Sequence, residues 1–230
     1  MRNTRRTFRD RRQAGCLLAR DLVRYRDDGD GCDDVRVLGL ARGGVPVGWE
    51  VAAFLRAPLD VCLVRKLGVP QWPELAMGAV ATGGGVVLND DLVASLHISD
   101  EQIRDAITRE TAELHRREQV YRADRGPLTV AGETVVLVDD GIATGATMLA
   151  AVRSVRQSGA THIVVAVPVG PPSVCRRLRA EADDVVCSTM PIGFGAVGQL
   201  YEDFHQIGDD EVRDLLATPT QGRGPFAENP

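Results

Sequence analysis

With 230 residues, 44% of them hydrophobic, the chain is long enough to bury a full core as one domain or one domain with an appendage, and two well-separated domains would be crowded. A formal net charge of −5 gives no general pull toward nucleic acid or an anionic membrane, and no run approaches the roughly 18 apolar residues of a membrane helix. A soluble, cytoplasmic protein is expected: the Arg-rich start lacks the apolar core of a secretory signal, and the scattered cysteines, without a CxxC pair, read as reduced thiols rather than disulfides or a zinc site.

The basic cluster Arg2, Arg5, Arg6, Arg9, Arg11 and Arg12 reads as a solvated leader and helix start. Asp10 with Gln13 suggests a helix cap, and Ala14, Leu17, Leu18 and Leu22 recur at helical spacing, so a first helix is expected to about Tyr25. After a stretch rich in Asp and Gly, VRVLGL is a short apolar run ending in a Gly-rich turn, a buried strand. A helix carrying Val47, Val51 and Leu55 follows, then strand LDVCLV (Leu59 to Val64), an irregular stretch, and a hairpin from about Met77 to Asn89 around Gly83 to Gly85. Ser99 and Gln102 form a second capping box before a long polar helix with Ile103, Ile107, Leu114 and Tyr121 on one stripe. Beyond Gly126-Pro127 the order is strand TVVLV, a helix to about Gln157, strand HIVVAVPV, a helix from Ser173 to Ala182, and strand DVVCS.

This alternation predicts an α/β, Rossmann-like, mostly parallel sheet flanked by helices, because strands covered on both faces read as continuous apolar runs. One domain over 1–217 is expected, with a small hood or lid drawn from 190–205 and the N-terminal helix, and a disordered tail over 218–230. Ligands of such sheets collect at the carboxyl ends of the strands, so the loops ARGG, RKLG and DDGIATGAT, each placed after a strand, are expected to meet on one edge.

Residues Val135 to Met148 read VVLVDDGIATGATM. Adjacent acids at the tip of a buried strand are costly to desolvate unless they hold something. Gly141 to Thr147 then offers backbone N–H groups at a helix N-terminus with two threonine hydroxyls, an arrangement suited to phosphate. Vicinal hydroxyls with a phosphate a few ångströms away, as in ribose 5-phosphate, satisfy both halves.

The stretch resembles the signature of the type I phosphoribosyltransferases, which bind 5-phosphoribosyl 1-pyrophosphate (PRPP), and its DDxxATGxTM form is most similar to the adenine phosphoribosyltransferase version. The resemblance implies the type I fold. It also implies that Asp139 and Asp140 bind the ribose hydroxyls, directly or through Mg²⁺, and that Ala143, Thr144, Gly145, Ala146 and Thr147 wrap the 5-phosphate. ARGG (Ala41, Arg42, Gly43, Gly44) resembles the family's pyrophosphate loop, with an unusual peptide conformation, and Arg65 and Lys66 would add cationic contacts. FRDRRQAGCLLA, RKLGVPQWPELAMGAV and AVGQLYEDF extend the similarity, to a group of bacterial phosphoribosyltransferases, to about Leu216. Ala143 stands where relatives acting on 6-oxopurines carry an acid, which removes one base-contacting carboxylate.

The expected activity is Mg²⁺-dependent transfer of the phosphoribosyl group to a nitrogenous base with release of pyrophosphate. Asp139, Asp140, Arg42 and Lys66 would be catalytic, Gly68 to Gly85 would close over the site, and a homodimer is expected by analogy. Trp72, Phe194, Tyr201 and Phe204 read as packing residues, with stacking on a planar acceptor as the alternative; Phe194, Tyr201 and Asp203 are the acceptor-side candidates, and Asp203 and Glu202 are candidate bases by location only. A PRPP-binding regulator is the rival, but no recognition helix is evident and nucleic acid is not an expected partner. A receiver-like domain places its acids after the first strand, and no P-loop or GxGxxG motif occurs.

Overall fold

The computed structural model describes residues 7–26, 34–122, 126, 128–191, 193 and 195–220. Strands β1 (Val35–Leu40), β2 (Leu59–Cys62), β6 (Thr134–Val138), β7 (His162–Val169) and β8 (Asp184–Thr189) form a parallel sheet in the order β2-β1-β6-β7-β8. Helices α1 (Arg11–Asp21) and α2 (Gly44–Leu55) belong to one covering layer, α5 (Ala146–Gln157) and α6 (Pro172–Leu178) to the other. Both faces of the sheet are thus buried, which explains the unbroken apolar runs. Along β6, Val136 and Val138 join one core with Leu18, Leu22, Val51 and Leu55, while Val135 and Leu137 join a second with Met148, Val152, Val155 and Leu178.

From β1 the chain winds outward to β2, and from β6 it winds the other way to β7 and β8. The reversal falls between β1 and β6, whose following loops, ARGG and DDGIATGAT, therefore flank the crevice where doubly wound sheets bind ligands.

The third loop expected at that edge is not a loop. The strand LDVCLV stops at Cys62, and Val64–Val69 is a separate strand, β3, in an antiparallel sheet with β4 (Trp72–Ala81) and β5 (Val86–Leu88). RKLG lies inside β3, because Leu67 and Val69 are fully buried and Arg65 and Lys66 pair across to Val80 and Ala79. The stretch expected to be irregular is thus a strand pair, with register shifts on either side of Gly68.

Helix α3 (Asp90–Ser95), capped by Asn89, precedes α4 (Asp100–Arg122). The Ser99/Gln102 capping box forms as expected: Gln102 N donates to Ser99 Oγ (3.3 Å) and Ser99 N to Gln102 Oε1 (3.0 Å). Asp10 caps α1 through Gln13 N (2.7 Å), but α1 ends at Asp21, and a 3-10 turn (Val23–Tyr25) completes the expected stretch. Helix α7 (Asp209–Ala217) was not anticipated. Nor is the chain loose from residue 218: Thr220 is buried and its hydroxyl donates to Ala57 O (3.1 Å), while Thr218 O accepts from Trp49 Nε1 (3.4 Å). Residues 221–230 lie outside the described residues.

Candidate active site

The ARGG turn and the acid pair are in contact. The Ala41–Arg42 peptide is cis, and α2 starts directly behind it at Gly44. A Cβ on Gly43 would stand 2.0 Å from Asp140 Oδ2, and one on Gly44 would stand 2.4 Å from Val138 O. Only glycine lets this backbone lie against the end of β6.

Asp140 is held at both ends. Its carboxylate accepts from Arg11 Nε (2.8 Å), and its carbonyl accepts from the Tyr201 hydroxyl (2.6 Å). The Asp140 amide donates to Asp139 Oδ1 (2.9 Å). Asp140 is buried, whereas Asp139 keeps part of its surface open. Burial pushes both carboxyls above the usual range; the neighbouring charge of Asp140 raises Asp139 further, and Arg11 opposes the rise at both.

Arg11 corrects the expectation of a wholly solvated basic start, being only 7% exposed. A signal was available: Arg11 shares the helical stripe of Ala14, Gly15 and Leu18, the buried face of α1. Phe8 and Tyr201 form a parallel bridge, and Glu202 N and Asp203 N donate to Phe8 O and Arg9 O (2.8 Å each). The start of the chain and a C-terminal strap over 200–205 therefore form one unit above the acid pair.

The loop after the acids is anchored by Ile142 N on Val169 O (2.9 Å). Gly145 has φ +74°, and a Cβ there would meet Val174 Cγ1 at 2.5 Å. Ala143, Thr144, Ala146 and Thr147 are exposed around the N-terminus of α5, whose first-turn N–H groups have no partner within the helix. The Arg177 guanidinium donates to Thr144 O, a contact from α6 that the sequence did not suggest.

The other candidates divide. Arg42 stands 3.5 Å from Asp209, which also accepts from Tyr121 Oη (2.6 Å), so the N-terminus of α7 faces the ARGG turn. Arg65 does not reach out as a pyrophosphate cation: Glu110 of α4 binds its Nε (3.1 Å) and Nη2 (2.7 Å). Lys66 lines a cavity of about 620 Å³ with Ala146 and Thr147, at the N-terminus of α5.

Tyr201 is a packing residue, 6% exposed against Phe8 with its hydroxyl committed to Asp140, and presents no face to an acceptor. Asp203 is exposed and accepts from His205 N (3.0 Å), and Phe194 lies outside the described residues. No helix among the described residues is long and apolar enough to cross a membrane.

An exposed loop of small residues and hydroxyls at a helix N-terminus, a carboxylate pair and a bare-backbone turn thus converge where the sheet reverses. The family described as phosphoribosyl transferase domain matches residues 11–203. Over 91% of its length the chain is 49% identical to a protein of Mycobacterium tuberculosis (strain H37Rv) provisionally named a phosphoribosyl transferase, 46% of whose length is matched. The chain thus spans about half the length of the curated relatives it matches. A 61-residue match, 25% of this chain and 34% of the relative, is 48% identical to an adenine phosphoribosyltransferase of Marinobacter nauticus. The crystal structure of TT1426 from Thermus thermophilus superposes with a TM-score of 0.78 at 44% identity, covering 91% of this chain and 97% of that one. The chain belongs to the type I phosphoribosyltransferase family.

Proposed function

We propose that the chain transfers the 5-phosphoribosyl group of PRPP to a ring nitrogen of a base or similar heterocycle, releasing pyrophosphate. The observation that supports this reading is the contact of Gly43 with Asp140 at the reversal between β1 and β6, which sets the bare-backbone ARGG turn against the carboxylate pair. In the reaction the bond from ribose C1 to the pyrophosphate oxygen breaks with both electrons leaving on oxygen, and the nitrogen lone pair forms the new bond to C1. Positive charge builds on the ribose ring and negative charge on the leaving group, so catalysis is mainly positional and electrostatic.

Arg42 and the backbone of Ala41 to Gly44 would hold the departing charge. Asp139 and Asp140 would accept hydrogen bonds from the ribose hydroxyls and favour the cationic ring. Ala143 to Thr147 would hold the 5-phosphate with α5 N–H groups and hydroxyls, and Lys66, beside that loop, would add charge to the phosphate end. The donor set suits Mg²⁺, since the neighbouring carboxylates of Asp139 and Asp140 are the hard oxygen ligands this ion selects. When bound, Mg²⁺ would supply countercharge for the pyrophosphate oxygens. Asp139, the more open of the two acids, is the residue that would hold it.

Calorimetric titration of Mg-PRPP into the protein, followed by a pyrophosphate-release assay over purines and pyrimidines, tests the proposal. Release triggered by one base names the acceptor. Binding without release for any base points to a PRPP sensor, and absence of binding overturns the reading.

A further inference from the structure

The buried ion pair of Arg11 and Asp140 differs from another deeply buried pair of the fold, that of Arg122 and Asp60. Arg122 grips both carboxylate oxygens of Asp60, 3.0 Å each, as a structural fork. Arg11 engages Asp140 through Nε on Oδ2 alone (2.8 Å), and its Nη1 donates instead to His205 O (2.8 Å). Its guanidinium lies 4.0 Å from the centroid of the Phe204 ring. Oδ2 is also the atom that fills the space a Cβ on Gly43 would take. One arginine therefore sets the position of a carboxylate wedged against the ARGG turn, and its own position is set by the strap over 200–205.

The strap contributes a second hold. Tyr201, bridged to Phe8 three residues before Arg11, fixes the Asp140 carbonyl. Carboxylate and carbonyl of one site residue are thus fixed by a unit assembled from both ends of the described chain. A buried charge needs a partner, but this partner is a residue of the candidate site rather than of the core, and the single-oxygen geometry orients the carboxylate without forking both of its oxygens.

On this basis, and resting on the phosphoribosyl-transfer reading above, we propose that Arg11 is a positioning residue: through Nε on Asp140 Oδ2 it fixes the second acid of the pair for the ribose hydroxyls, and the strap over 200–205 holds Arg11 in place. It touches no substrate and acts only through Asp140.

The test is a double-mutant cycle read by calorimetric Mg-PRPP affinity, with Arg11→Met, Asp140→Asn and the double variant, and with Arg11→Lys as the conservative rescue. If Arg11 acts through Asp140, Arg11→Met weakens Mg-PRPP binding about 10- to 100-fold, Arg11→Lys recovers part of the loss, and Arg11→Met in the Asp140→Asn background costs less than about threefold. In turnover, the loss falls on KM for PRPP more than on kcat. Additive losses, or Arg11→Met binding like wild type, overturn the proposal and leave the functional reading intact. Failure of the wild-type chain to bind Mg-PRPP overturns both. Thermal melting checks that each variant is folded; should Arg11→Met unfold, the cycle of Arg11→Lys with Asp140→Asn decides the matter by the same criterion.

Discussion

Gly43 sits at φ −61° and ψ −30°, ordinary right-handed backbone that alanine adopts without strain. Gly43→Ala therefore isolates one effect, the collision of a methyl group with Asp140. The added carbon would lie 2.0 Å from Oδ2, and ordinary contact begins near 3.4 Å, so the carboxylate or the turn must give by about 1.4 Å. A shift of that size at Oδ2 breaks its 2.8 Å bond to Arg11 unless the arginine follows. Losing one partner of a buried pair costs about 3–5 kcal/mol, and overpacking alone about 1–3 kcal/mol. Since alanine also removes about 0.4–1 kcal/mol of unfolded-chain entropy, a net destabilisation of about 2–4 kcal/mol is expected where the pair is lost. For a chain of this size that lowers Tm by about 4–16 °C. Mg-PRPP affinity should fall at least about tenfold, because the turn and the acid pair no longer fit together. Differential scanning calorimetry and isothermal titration give the two numbers. An alanine variant with wild-type melting and wild-type affinity would refute the claim that this contact builds the site.

Asp139 gives a pH prediction whose sign follows from its raised pKa: the folded state binds its proton more tightly than the unfolded chain, so this contribution to stability is present below the unfolded value near ~3.9 and is lost as pH rises through the folded value. Asp139→Asn should flatten the fall in Tm above about pH 4 and abolish Mg-PRPP binding; an unchanged Tm profile counts against the burial and repulsion invoked here. At Gly145, valine meets both the left-handed φ and Val174, so Gly145→Val should distort the loop before α5 and destabilise the fold by about 1–3 kcal/mol. Retention of both melting temperature and PRPP affinity in that variant would contradict this. Arg65→Ala should cost at most about 1 kcal/mol of stability through the partly exposed Glu110 pair and leave Mg-PRPP affinity unchanged, whereas a tenfold loss would return Arg65 to the binding site.

The halves of the molecule differ in how much their sequence disclosed. Over β6 and β7 the strands are buried on both faces with α5 and α6 packed beside them, so burial writes itself into uninterrupted apolar runs alternating with helical stripes. Strand β3 escaped because it follows β2 after Leu63 alone and carries Arg65 and Lys66 in succession, which reads as a polar loop. It is a strand because β4 supplies its partner, a contact that no local pattern encodes. Helix α7 holds Val212, Leu215 and Leu216 at helical spacing, but its three leading acids hide so short a stripe. In the site, the motif-bearing loops were legible because both chemistry and small residues fall in register. The arginine that holds Asp140 was not, since a charge at the start of a helix is ordinarily solvated and only its place on the stripe of Ala14 and Leu18 marks it as buried.

The charges around Asp140 show why residues so far apart in sequence have to meet there. Two adjacent carboxylates that are largely buried repel one another and resist ionisation, and Arg11 offsets that resistance without occupying the open face of Asp139. On the other side of the ARGG turn, Arg42 faces Asp209, whose carboxylate the Tyr121 hydroxyl keeps ionised below its ordinary range. Both arginines beside the turn are thus paired with an acid, one deep and one half-exposed. On the proposed function, a pyrophosphate would replace Asp209 at Arg42 at little cost, because that pair is half-exposed, whereas displacing Asp140 from Arg11 would leave a buried charge without its partner. The exposed pair is therefore suited to exchange with an incoming anion, and the buried pair to staying fixed while that exchange takes place.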